Sequence, residues 1–184
     1  MPVLKCPLDL WVYQEILTEI RPELVIETGT AVGGSALFLA SCMDLLHHGR
    51  VITIDMIERK GFPRHDRITY LTGSSTDAAI VERVRFEAER ASPVIVILDS
   101  DHSRDHVLAE LHAYGPLVTP GSFLVVEDTN VNGRPVEGAH GPGPHEALEE
   151  FMRGRPEFVR DSSREKFLLT FNPGGFVHRL DERG

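Results

Sequence analysis

Five acidic residues stand at the ends of short apolar runs in this chain. Glu27 follows Leu24-Val25-Ile26, Asp55 closes Val51 to Ile54, Asp99 closes Val94 to Leu98, and Glu127 with Asp128 closes Phe123 to Val126. If those runs are parallel strands, their C-terminal ends share one rim, where α/β sheets bind ligands. The first run continues as V-I-E-T-G-T-A-V-G-G-S, Val25 to Ser35, leaving a strand and opening a helix. Gly29 permits a tight turn, and Gly33-Gly34 let a ligand lie against the backbone. The spacing is G-x-x-x-G-G, not the dinucleotide G-x-G-x-x-G, and an acid precedes it. A carboxylate there repels a pyrophosphate but favours a ligand with positive charge. Asp55, at the next strand end, can accept the ribose hydroxyl protons of an adenosine. Together these features predict S-adenosylmethionine, with its sulfonium and ammonium, rather than NAD. The expected contacts are Glu27, Gly29, Thr30, Gly33, Ser35, Asp55 and Asp99. A turn that merely joins strand to helix is the plain alternative.

Asp99, Glu127 and Asp128 would converge beside that cofactor. Carboxylates crowded together repel, so a cation is expected among them. All-oxygen ligands favour Mg²⁺, with Mn²⁺ or Ca²⁺ also suited. Helix capping, shared with Ser100, Asp101 and Ser103, is the competing explanation for acids at strand ends. His102 lies three residues after Asp99, and an imidazole there can take a hydroxyl proton near neutral pH. Asp101 is a weaker base, and a solvated helix-start histidine is the alternative. Thr72 to Asp77, T-G-S-S-T-D, ends the third strand and can cap the next helix. His140 and His145, on either side of a glycine-proline loop, are read as solvated.

The motifs I-E-T-G-T-A-V-G-G-S-A, I-D, L-D-S-D-H-S and V-V-E-D-T-N occur in that order. So arranged, the chain resembles metal-dependent small-molecule O-methyltransferases. Within them it is similar to the cephalosporin hydroxylase-like group, which includes rhamnosyl and macrolide-sugar O-methyltransferases. The likeness runs from about Pro7 to the end, and includes P-G-P-H-E-A-L-E-E-F, R-E-K-F-L-L-T-F-N-P and G-F-V-H-R-L. The resemblance implies methyl transfer from S-adenosylmethionine to a hydroxyl, with Asp99, Glu127 and Asp128 as metal ligands. It implies that Ser75 contacts the adenine and that His102 is the base, where catechol-type relatives carry lysine. It implies a homo-oligomer, and it leaves the acceptor open. Other readings are a metal-independent methyltransferase, a cofactor-binding protein that assists a partner oxygenase, and an NAD-linked oxidoreductase.

The elements that must hold these residues alternate between short apolar runs and helical stretches, which predicts βαβ units. The expected fold is a Rossmann-like class I methyltransferase, a doubly wound sheet of about seven strands with an antiparallel last strand. One domain over 1–184 is expected, with an N-terminal helix within 1–22. Helices are predicted for Leu8–Ile20, Ser35–His47, Asp77–Arg90, Ser103–Tyr114 and Glu146–Met152. Weaker strands are predicted at Ile68–Leu71, Phe158-Val159, Phe167–Phe171 and Phe176–His178, the last two forming a hairpin around Asn172-Pro173-Gly174-Gly175. The segment 129–145, rich in glycine and proline, is predicted as an active-site loop.

The bulk properties narrow the partners. The formal charge of −9 argues against a nucleic-acid backbone and is compatible with a small molecule or a divalent cation. Cys6 and Cys42 make no metal or redox pattern, and a reducing cytoplasm is the expected compartment. Charges in the first turns speak against a signal peptide, and no apolar run suits a membrane span.

Overall fold

The computed structural model describes residues 2–181. Twelve regular elements follow one another: α1 (Pro7–Ile20), β1 (Leu24–Thr28), α2 (Gly34–Leu46), β2 (Arg50–Asp55), β3 (Ile68–Thr72), α3 (Ala78–Ala88), β4 (Val94–Leu98), α4 (Arg104–Tyr114), β5 (Phe123–Val126), α5 (Pro144–Met152), β6 (Phe158–Arg160) and β7 (Phe176–Arg179). One seven-stranded sheet has the order β3-β2-β1-β4-β5-β7-β6. β1 to β5 pair in parallel, and β7 runs antiparallel to both β5 and β6. The expected doubly wound fold with its antiparallel last strand is therefore present.

Strand composition explains the layering. Every residue of β1 and β4 is buried, as continuous apolar runs covered on both faces must be. Alternate side chains serve opposite cores. Val94, Val96 and Leu98 join Leu111, Tyr114 and Phe151 of α4 and α5. Ile95 and Ile97 join Ile16 of α1 and Leu39 and Met43 of α2 on the other face. The order reverses between β1 and β4, which opens a crevice at their C-terminal ends. Glu27, Asp55, Asp99, Glu127 and Asp128 all sit at or just beyond strand ends on that rim.

The hairpin is assembled differently from expectation. Phe167–Phe171 is not a strand, and β7 pairs with β6 instead. Both edges of β7 are taken by β5 and β6, so 167–171 has no edge to pair with. It is tied by the Phe171 N–H to Asp9 Oδ2 at 2.9 Å and by the Phe171 carbonyl, which accepts from the Asn130 N–H at 3.2 Å. α5 begins at Pro144 rather than Glu146. Proline suits a first turn, and Glu146 reaches back to accept from the Gly143 N–H at 2.7 Å. α2 stops at Leu46, with His47 in the left-handed region at φ 52°.

Candidate active site

The turn after β1 is held from below. The Gly29 N–H donates to the Ile54 carbonyl at 2.8 Å, and Gly29 adopts φ 89°. A Cβ there would lie 1.8 Å from the Asp99 carbonyl oxygen, so only glycine lets β1 and β4 meet at this point. Asp55 closes the loop from the next strand: Oδ2 accepts from the Ala31 N–H at 2.8 Å and Oδ1 from the Ile57 N–H at 2.9 Å. One lone pair on each oxygen is left for a ligand. Thr30 turns inward, its hydroxyl 2.8 Å from that of Thr53, and Thr53 donates to Glu27 Oε2 at 2.7 Å. Gly33 and Gly34 differ from the expectation of an open cradle. A Cβ on Gly33 would meet Pro63 Cδ at 2.7 Å, and one on Gly34 the Pro2 carbonyl oxygen at 1.9 Å. These two glycines make room for the chain's own prolines.

A cleft of about 480 Å³ opens beside this loop. Gly29, Ala31, Asp55, Ser75, Asp99 and His106 are among its walls. Its size suits a nucleoside-bearing ligand. Ser75 is almost wholly buried, and its hydroxyl lies 3.1 Å from His106 Nε2. Asp77, not Ser75, caps α3, accepting from the Ala79 N–H at 2.8 Å. His106 is raised in pKa, foremost by the Glu110 carboxylate 3.4 Å from its Nε2, against the effect of burial.

At the other side of Asp99, His102 Nε2 lies 3.4 Å from Asp99 Oδ1 and 3.2 Å from Asp128 Oδ2. Neither contact is aligned as a hydrogen bond, so a buried ring nitrogen is left without a partner. The Asp99 carboxylate chiefly raises the pKa of His102; burial opposes it and Asp128 assists. Asp128 is held at φ 51°, with its N–H bonded to Asn172 Oδ1 at 3.0 Å. Asp tolerates that left-handed backbone better than most residues, and the turn before β7 fixes it there.

Donor atoms of Asp99, His102 and Asp128 all lie within 4.8 Å of one another, a spacing that suits a metal ion. Glu127 takes another orientation. Its Oε1 accepts from Lys5 Nζ at 2.5 Å and from the Tyr13 hydroxyl at 2.6 Å. Lys5 Nζ also reaches Asp99 Oδ2 at 2.6 Å and lies 3.9 Å from Glu27 Oε1. Burial alone would lower the Lys5 pKa, but the carboxylates of Glu127, Asp99 and Glu27 outweigh it and hold the ammonium charged. Glu27 Oε1 is buried without a hydrogen-bond partner, and burial raises the pKa of that carboxyl.

The structure therefore gathers Glu27, Gly29, Ser35, Asp55, Ser75, Asp99, His102, Glu127 and Asp128 on one rim. Sequence reasoning missed Lys5, Tyr13 and Asn172. Only the proximity of Lys5 to the start of α1 was available as a signal, and it resembled any helix-flanking lysine.

Comparison with known proteins bears on this site. The family model for rhamnosyl O-methyltransferase/CmcI matches residues 1–180. The rhamnosyl O-methyltransferase of Mycobacterium tuberculosis is 44% identical over 178 residues, covering 93% of this chain and 73% of its own length. That of Mycobacterium leprae is 44% identical, covering 96% and 80% respectively. Among solved structures, CmcI without ligand gives a TM-score of 0.75 at 23% identity, covering 98% of this chain and 74% of that one. CmcI with Mg and S-adenosylmethionine gives 0.73 at 21% identity, covering 98% and 75%. The solved structures share the fold, and the mycobacterial enzymes share nearly half of the residues along almost the whole chain. The chain belongs to the rhamnosyl O-methyltransferase/CmcI family and is, with that family, a methyltransferase.

Proposed function

We propose that this protein methylates a hydroxyl of a small, sugar-bearing molecule, using S-adenosylmethionine and a divalent cation. The observation that carries the reading is the unpartnered Nε2 of His102, set between Asp128 and Asp99, the second of which also lines the nucleoside-sized cleft. The donor set fits both groups. Glu27 Oε1, buried and unpartnered, suits the ammonium end of the cofactor, and Asp55 suits its ribose. Asp99 and Asp128 offer hard oxygen atoms to Mg²⁺ or Mn²⁺, with Glu127 beside them. Bound there, the cofactor would supply the methyl group, and the cation would lower the pKa of the acceptor hydroxyl.

The chain's own residues then have separable duties. Gly29 and Asp55 orient the nucleoside, Asp99 and Asp128 orient the acceptor oxygen, and His102 Nε2 takes its proton. The returning end of the 129–145 loop lies against His102: the Pro142 carbonyl accepts from the Arg104 N–H at 3.1 Å, and Gly143 sits close to the His102 carbonyl. That placement supports an acceptor-facing role for the loop. Self-association belongs to the same reading. Arg164 and Lys166 pair with Glu19 and Glu15, tying the 164–171 segment along α1, where Trp11, Leu168 and Leu169 are exposed.

Calorimetric titration tests the cofactor assignment: S-adenosylhomocysteine should bind and NAD should not, and the reverse result removes it. For the cation, chelation should abolish methyl transfer and added Mg²⁺ should restore it; full activity in chelator removes it. A second reading is favoured by the spacing of Asp99, His102 and Asp128, which makes His102 a ligand rather than the base. Loss of Mn²⁺ binding in His102→Ala would select that reading.

A further inference from the structure

Lys5 is the one buried cation of the acidic rim among the described residues, and the mechanism above does not use it. The segment that delivers it crosses the start of α2, where the missing side chain of Gly34 lets the Pro2 carbonyl pass. Cys6, next in the chain, is buried, and α1 begins at Pro7. The Lys5 side chain therefore enters the rim from a fixed point. Its Nζ bonds Asp99 Oδ2 at the end of β4 and Glu127 Oε1 at the end of β5, at 2.6 and 2.5 Å. With Oδ2 engaged, Asp99 turns its other oxygen, Oδ1, toward His102 and Asp128. Tyr13 holds the same Glu127 oxygen from α1.

We propose that Lys5 is a positioning residue for the divalent-cation site, clamping the inner oxygens of Asp99 and Glu127 so that the outer oxygen of Asp99 faces the ion. Charge supports the assignment. Glu27, Asp99, Glu127 and Asp128 crowd one rim, and a single ammonium among them leaves a negative balance that still favours a divalent ion. Partners that orient metal-ligating carboxylates typically govern affinity by about 10–100-fold. The inference rests on the metal reading given above.

The test measures Mn²⁺ binding by electron paramagnetic resonance on the whole chain. Lys5→Met keeps the apolar stem and removes the charge. Its dissociation constant for Mn²⁺ should rise by about 10–100-fold, while S-adenosylhomocysteine still binds and shows an intact fold. In Lys5→Ala, propylammonium replaces the deleted part of the side chain and should restore Mn²⁺ binding; 1-propanol, its uncharged counterpart, should not. The rescue comparison decides the matter if Lys5→Met folds poorly. Unchanged or tighter Mn²⁺ binding in Lys5→Met, or equal rescue by the alcohol, overturns the inference alone. Failure of the unaltered chain to bind Mn²⁺ overturns the metal reading and this inference together.

Discussion

A histidine at a strand end takes its character from the carboxylates beside it. His102 faces Asp99 and Asp128, and its ring nitrogen is otherwise free. His102→Ala is expected to keep affinity for S-adenosylhomocysteine and to lower the rate of methyl transfer by roughly 10²–10⁴-fold; single-turnover transfer measures it, and an unchanged rate clears His102 of the role. Asp55 is expected to behave oppositely. Its replacement by alanine removes both loop contacts and the ribose acceptor, and should weaken S-adenosylhomocysteine binding by about 10–100-fold, read by calorimetry. These residues were legible in the sequence because each is an acid or imidazole that follows an apolar run. Lys5 and Tyr13 were not, since they reach Glu127 across 122 and 114 residues of chain. Asn172 read only as the first residue of a turn, and its hold on the Asp128 backbone needed the folded neighbour.

At the scale of elements, the site depends on how tightly β1 crosses β4. Gly29→Ala would drive a methyl group into the Asp99 carbonyl and strain a backbone at φ 89°. The variant should lose about 3 kcal/mol or more of stability, measured by urea denaturation, and lose cofactor binding with it. α4 carries a separate device. The neighbouring Glu110 carboxylate raises the pKa of His106 above its ordinary value, so the pair's contribution is present in full below about pH 6.5 and is lost as pH rises through the folded value. The difference in melting temperature between the unaltered protein and His106→Asn should therefore shrink from about pH 6 to about pH 8; a constant difference refutes it. Strands β1, β2, β4 and β5 were readable from their apolar composition. Phe167–Phe171 misled because apolar residues beside a turn imitate a hairpin arm, and the true partner, β6, lies further back in the chain.

For the molecule as a whole, the acidic rim lies within a chain of formal charge −9. Both the cofactor and a divalent ion are drawn toward such a surface, and salt screens that attraction. S-adenosylmethionine carries one more positive charge than S-adenosylhomocysteine. Its affinity should fall more steeply than that of S-adenosylhomocysteine between about 0.05 and 0.5 M salt, and parallel slopes would deny the rim its electrostatic role. The doubly wound architecture was legible from alternating runs alone, because covering both faces of a parallel sheet demands them. How the turn before β7 and the segment before α1 meet at the rim was not, since those contacts join opposite ends of the chain.

The place of β7 has a consequence for synthesis. This strand lies between β5 and β6, yet it is the last of the three to be made. A nascent chain that has released β6 but not β7 leaves β6 unpaired and one side of β5 without its neighbour. Asp128 also lacks its anchor until Asn172 arrives. A ribosome that stalls before β7 therefore presents β5 and β6 with an open, adhesive seam between them.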